Sequence, residues 1–347
     1  MAKPQKLASG RYRVQPMTAN GRISRTFRTK AEAQRYLNKV AYERDMGTWQ
    51  DPQRAKETPF SVLADEYIEK QIPQQKSERH NVYVVNRLRE WFGHLTLDEF
   101  TPKTVNDWKH YRLQQVAPTT VLKEMGFLSS ICNRARREWG YHLPHGNPVE
   151  LVSKPKPSEP RDRRPTQDEL ARILDASASE ELQAVIRLAV ATAMRRSELA
   201  FFTWPMVDFT AGVVTLPKWL TKNGRVKRVP MSREAERLLR ALHEEQGHPV
   251  KGRVFHIDPQ SITDGFGEAR QLARRYYEQE CLTQNEPPKP GYLRNIRLHD
   301  LRHEAISRLA EKGLSVPELQ MVSGHRDWSQ LARYTHITPE VVRQKMG

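Results

Sequence analysis

The chain has 347 residues, with 57 Lys and Arg against 41 Asp and Glu, and a formal net charge of +16. That leaves room for two or three domains of roughly 100–200 residues each, and a positive field that selects polyanions over neutral small molecules, nucleic acid first and an anionic membrane surface second. No apolar run approaches the ~20 residues of a membrane span, the N-terminal stretch has no apolar signal core, and Cys132 and Cys281 form no CxxC pair, so a cytoplasmic or nucleoid location without zinc or disulfide framework is expected.

Residues 11–14 and 23–27 alternate as strands do, and Asn20-Gly21 between them is a hairpin turn signal. Thr29 then caps a helix over 30–46, with Ala33, Leu37, Val40 and Ala41 at helical spacing and Gly47 as its stop. Arg11, Arg13, Arg22, Arg25 and Arg28 decorate this small unit and suit a DNA groove as well as a solvated surface. Residues 51–57 are polar and read as a linker. From 60 to 139 the pattern is helical throughout. Helices are expected over 60–70 with Val62, Leu63 and Tyr67 inward, over 77–91, from Thr101-Pro102 to 113, and from 119 or 120 to 139 with a basic tail. Residues 153–165 hold four prolines and alternating charges, which should stay extended as a second linker.

Beyond it, Thr166 and Glu169 fit a capping box. The strongly apolar 182–193 is a core helix. Strands are expected over 213–216 and 226–230 around Asn223-Gly224, and helices over 232–243 and 261–283. A proline-rich loop spans 284–297, a helix closed by Gly313 covers 298–312, and a short capped helix ends the chain after Thr338.

Five places in this half carry polar groups in unusual company. Arg195 follows the apolar helix, with Glu198 one turn on to brace it, which fits a structural salt bridge or a job. Lys222 precedes the hairpin turn, where an ammonium reaches an outside ligand; Lys218 and Lys227 compete with it by position. His299 and Arg302 lie three apart on one helix face, an imidazole beside a guanidinium, which suits a phosphate. His299 and His303 are four apart, as in zinc helices, but Arg302 would repel a cation and no glutamate follows His299. His325 follows Gly324, and Tyr334 stands nine residues further on.

Arg195 with Ser197-Glu198-Leu199, Lys222 in a hairpin, His299-x-x-Arg302, Gly324-His325 and Tyr334, in this order, resemble the catalytic signature of tyrosine recombinases of the phage integrase family. The resemblance implies a multidomain, mainly α protein with small β-sheets. It has an AP2-like arm-binding domain at 1–50, a helical-bundle core-binding domain at 58–150, and a mixed α/β catalytic domain at 166–347. It implies a site-specific recombinase that makes two strand exchanges through a 3′-phosphotyrosine on Tyr334 and a Holliday junction. Arg195, Arg302 and His325 would hold the phosphate, His299 would act as base, Lys222 as acid and Glu198 as support. The phosphodiester energy is kept in the enzyme–DNA bond, so neither cofactor nor metal is needed. Implied partners are double-stranded DNA at core-type and arm-type sites, a homo-tetramer on that DNA, host bending proteins and an excision factor, in a bacterial host. Two rival readings are a catalytically inactive DNA-binding regulator and a type IB topoisomerase-like activity. Two departures stand out: Ala193 occupies a position where many members have glycine, and the loop before His299 is long.

Overall fold

Alternation in the first thirty residues does build a small sheet. In the computed structural model, which describes residues 3–18, 21–46, 52–75, 77–159, 161–332, 334 and 343, β2 (Tyr12–Val14) pairs with β5 (Arg25–Phe27) antiparallel, Arg13 opposite Thr26. Two features were not anticipated. β1 (Gln5–Lys6) adds an edge strand on β2, and β3 (Met17–Thr18) pairs with β4 (Gly21–Arg22) towards the hairpin tip. The helix α1 (Lys30–Asp45) starts at Thr29, whose hydroxyl accepts from the Glu32 amide while the Glu32 carboxylate accepts from the Thr29 amide. Ala33 and Leu37 pack with Val14 into a core of little depth. The expected turn at Asn20 and stop at Gly47 lie outside the described residues.

The segment 51–57, expected as a linker, instead contains α2 (Pro52–Glu57). Its polarity hides one buried residue, Ala55, which joins the helical core, and the Ala55 carbonyl accepts from the Asp98 amide at 3.1 Å. Proline at the first helical position needs no amide partner. Four longer helices follow: α3 (Phe60–Lys70), α4 (Glu78–Phe92), α5 (Pro102–Leu113) and α6 (Pro118–Arg137). Their apolar faces meet around Phe60, Leu63, Leu88, Phe92, Trp108 and Leu128. Val62, expected inward, is exposed, because the neighbouring Leu63 and Tyr67 set the buried face. Inside this bundle, Glu124 receives Arg112 through two bonds, at 2.8 and 2.9 Å, and Arg87 at 3.1 Å.

The chain divides into two compact units, Met1–Pro160 and Arg161–Gly347, and the division falls inside the proline-rich 153–165. The described residues of that stretch have no regular structure, in keeping with its composition, yet it is tied at both ends. In the first unit Lys109 donates to the Ser153 carbonyl at 3.1 Å. In the second unit Arg161 forks onto Asp300, Arg163 bonds Glu169, and Arg164 bonds Glu304 and Glu311.

The second unit is built on the apolar α8 (Glu180–Thr192), which packs against α12 (Leu298–Glu311), α10 (Arg233–Glu245) and α11 (Pro259–Thr283). α7 (Gln167–Asp175) begins with the Thr166–Glu169 capping box and lies on α11. A three-stranded antiparallel sheet, in the order β6 (Val207–Asp208), β7 (Val213–Leu216) and β8 (Lys227–Pro230), carries the hairpin that holds Asn223-Gly224. The short helices α9 (Arg196–Phe201), α13 (Val316–Ser323) and α14 (Ser329–Ala332) complete the unit. α8 ends on Ala193 in the left-handed conformation, φ 53°, fully buried. A side chain there costs about 1–2 kcal/mol relative to glycine. The expected C-terminal helix beyond Thr338 falls almost entirely outside the described residues.

Candidate active site

Arg195 sits directly after the left-handed turn at Ala193 and caps α9. Glu198, one turn on and fully buried, accepts from the Arg195 backbone amide at 2.9 Å and from its Nη1 at 2.7 Å. A buried carboxylate is costly unless it is paired and its remaining lone pairs are hydrogen-bonded. The second cation partner is Lys227, whose Nζ lies 3.0 Å from the other carboxylate oxygen. Burial opposes ionisation of Glu198, but Lys227 and Arg195 together hold its carboxyl below the usual range. Burial, only partly offset by Glu198, and repulsion from Arg302 and Arg195 bring the Lys227 ammonium down to about 8.

Arg302 projects from the first turns of α12 into the core. Its guanidinium donates to the carbonyl of Ala193, at the end of α8, and to that of Ser323, at the end of α13. Arg195 Nη2 makes a long 3.4 Å contact to the next carbonyl, Gly324. The two guanidinium groups therefore converge on consecutive peptide carbonyls from opposite elements. Burial and the charge of Arg195 lower Arg302 to about 10, still a cation at neutral pH. Three cations, Arg195, Arg302 and Lys227, share the one carboxylate of Glu198, so the site keeps a net positive charge suited to a further anion.

His325 follows Gly324, which takes φ 66° and packs a Cβ-less face within contact of the Lys227 stem. The ring Nδ1 of His325 lies 2.8 Å from the Ser323 hydroxyl. Burial and then Arg302 and Arg195 push this imidazole down to about 3, so it is neutral at pH 7. His299, in the first turn of α12, is likewise lowered to about 4, by burial and then by His303 and Arg302. Two cavities border the site. His299 and Arg302 line one of about 300 Å3 with Arg196 and Thr263. Arg195, Lys227 and His325 line another of about 600 Å3 with Asn223, Arg225 and Arg326.

The structure thus gathers Arg195, Glu198, Arg302 and His325 closely, with His299 on the same helix as Arg302. It treats two expected residues differently. Lys222 is exposed in the hairpin, while its rival Lys227 is the buried lysine. Strand alternation explains this: Lys227 and Val229 share the inward face of β8, and Arg228 and Pro230 face out. Asn223, beside Lys222, reaches back to the Gly324 carbonyl at 3.0 Å, so Lys222 stands one residue from the site. Tyr334 is nearly buried, and its hydroxyl bonds not His299, the expected base, but His303 Nδ1. The rings of His299 and His303 pack edge to face 5.0 Å apart, so one helix face presents both, and only the second meets the tyrosine. His303 entered the sequence reading only as half of a metal spacing. Among the described residues no cluster of three or more His, Cys, Asp or Glu is placed to hold a metal ion.

In the N-terminal sheet, Arg11, Arg22 and Arg28 are exposed, and Arg13 and Arg25 are half-buried. Arg13 donates to Gln5 at 3.1 Å and, with Arg22, lines a cavity of about 680 Å3 against α1. Among the described residues no helix is long and apolar enough to cross a membrane.

Residues 163–340 match the phage integrase family. A shufflon-specific DNA recombinase of Escherichia coli is 34% identical over 298 residues, 82% of this chain and 70% of that protein. The integrase of Salmonella phage P22 is 24% identical over 70% of this chain and 60% of its own length. Among solved structures, a lambda integrase dimer bound to a core site superposes with a TM-score of 0.63 at 19% identity, covering 96% of this chain and 94% of that one. The Tn1549 transposon integrase in complex with transposon right end DNA gives 0.63 at 15% identity, covering 83% and 98%. The fold is that of the tyrosine recombinases. The chain belongs to the phage integrase family, and it is a site-specific recombinase, a DNA strand transferase.

Proposed function

We propose that this recombinase binds double-stranded DNA and cuts and rejoins it through a 3′-phosphotyrosine at Tyr334, passing through a Holliday junction. The observation that carries this reading is the convergence of Arg195 and Arg302 on the adjacent carbonyls of Gly324 and Ser323, beside His325. Attack on a phosphodiester gathers negative charge on the non-bridging oxygens. Two permanently charged forks are suited to those oxygens. His325, neutral in the free protein, supplies a third donor once an anion enters.

Tyr334 attacks phosphorus, and the 5′-oxygen leaves with a proton. Lys222, exposed in the hairpin next to Asn223, is the acid in this reading, and Lys227 with Glu198 holds Arg195 in place. The domains read as an arm-binding unit at 1–50, a core-binding bundle at 58–150 and a catalytic domain at 166–347. Arg11, Arg13, Arg22, Arg25 and Arg28 would contact arm-type DNA, and four copies would assemble on the core site. The net charge of +16 supports a binding energy dominated by phosphate contacts, with an affinity that falls steeply with salt. Host bending proteins and an excision factor would set the direction of recombination.

The test is a nicked duplex carrying the site, incubated with protein and resolved on a denaturing gel. Wild type traps a covalent protein–DNA adduct. Tyr334→Phe retains DNA binding in a mobility shift and forms no adduct. An adduct at the wild-type level in the variant removes Tyr334 from the role.

A further inference from the structure

We propose that His303, through Nδ1, is the group that accepts the phenol proton when Tyr334 attacks DNA; this deepens the reading above and rests on Tyr334 being the nucleophile. The phenol oxygen is hydrogen-bonded to Nδ1, with the two rings 27° apart and their centroids separated by 6.0 Å. The proposed role uses the tautomer in which the phenol donates, Nδ1 holds the lone pair and Nε2 carries the ring proton. The tyrosine is fixed there by more than this bond. The side chain is 9% exposed, and Ser307 and the 161–164 segment line, with it and His303, a void of only about 10 Å3.

Position on the helix makes the pairing useful. His303 follows Arg302 directly, one residue and about 100° around α12. Arg302 is close enough to Tyr334 for a phenolate there to stabilise its charge. The oxygen that must lose a proton and a cation that would hold the phosphate are thus delivered by adjacent residues of one helix. A phenol with a pKa near ~10 is almost wholly protonated at neutral pH, so a positioned acceptor matters. His299, four residues earlier, contacts the His303 ring edge to face.

The step balances. The Oη–H bond breaks with its proton passing to Nδ1, the Oη–P bond forms, and the P–O5′ bond breaks with the 5′-oxygen taking a proton from the lysine acid. In the second half the 5′-hydroxyl gives its proton back to the lysine as the O5′–P bond forms, and the Oη–P bond breaks as the imidazolium returns its proton to the phenol oxygen.

The experiment is single-turnover cleavage of the nicked duplex by full-length protein. The variants are His303→Asn, which keeps an acceptor near Nδ1 but cannot take a proton, and His299→Asn. Each is made with tyrosine and with a more acidic fluorotyrosine at position 334. His303→Asn should slow adduct formation about 100- to 10,000-fold without weakening DNA binding. Fluorotyrosine should recover much of that loss, and should not rescue His299→Asn in the same way. The rescue ratio is read within one variant, so any change in folded fraction cancels. Cleavage by His303→Asn at the wild-type rate or faster makes His303 only a resting place for the tyrosine and overturns the proposal. Equal rescue in both variants also overturns it. A wild type that forms no Tyr334 adduct defeats the parent reading and this one together, which separates the two failures.

Discussion

Two buried glutamates, one in each unit, sit under two cations apiece and teach different lessons. Glu124 in the helical bundle takes Arg112 through Nε and Nη2, and the remaining Nη1 of Arg112 is bound to Gln115. Every nitrogen of that guanidinium is committed within the protein. Glu198 takes Lys227 and only Nη1 of Arg195, whose Nη2 is left with a long contact to a carbonyl beside an open cavity. The ion-pair chemistry is the same. What separates a structural pair from a working one is donor capacity left facing a space where an anion fits.

That contrast can be broken by experiment. On the side of the working pair the test is Arg195→Ala, which removes a charged donor from the proposed phosphate site and one of the two cations over Glu198. Cleavage should slow by ~100–1000-fold, about 2.7–4 kcal/mol of transition-state stabilisation, in single-turnover assays normalised to folded protein, because Glu198 keeps only Lys227 as its cation and some stability is lost as well. If Arg195 were another Arg112, stability would fall and the rate per folded molecule would hold. Glu124→Ala is the mirror image. It leaves Arg112 buried without its partner and should cost about 3–5 kcal/mol in denaturant unfolding of the bundle, with the cleavage rate of folded molecules retained.

A smaller effect follows from the imidazoles. His299 and His325 are held neutral, at about 4 and about 3, against an ordinary value near ~6.5. Between those limits the unfolded chain binds protons that the folded unit refuses, so stability rises with pH across that window and falls as the pH drops below ~6.5. Calorimetry should show the catalytic unit melting lower at pH 5 than at pH 7. DNA at the site should blunt the difference, because an anion lets the imidazoles protonate. The smallest effect is Ala193→Gly, which relieves the left-handed strain and should add about 1 kcal/mol of stability.

Much of this was legible beforehand where the signal is local. Thr29, Thr101 and Thr166 announce helix starts, each closed by a partner three residues on. The apolar 182–193 run announces the core helix, and the mainly α architecture with small sheets agrees with the integrase structures it superposes on. The order Arg195, His299-x-x-Arg302, His325, Tyr334 announced the family. What stayed hidden depends on tertiary choice. Ala55 gave no periodic signal in a polar hexapeptide, so α2 was invisible. The inward turn of Lys227 was readable from its alternation with Val229, yet a turn lysine looked better placed to reach out. His299 and His303 share one helix face, and no local pattern says which of them meets a tyrosine some thirty residues away.

The three arginines that follow Pro160 have a practical consequence for anyone trimming this protein. They are the clasp of the catalytic unit, each closing on a carboxylate that is itself largely hidden: Asp300, Glu169 and Glu304. A fragment begun at the first regular helix, with Gln167, would strip Asp300 and Glu169 of their counterions, leave Glu304 with Arg308 alone, and remove the 161–164 segment that lies beside Tyr334. One begun at Arg161 carries its own fastening.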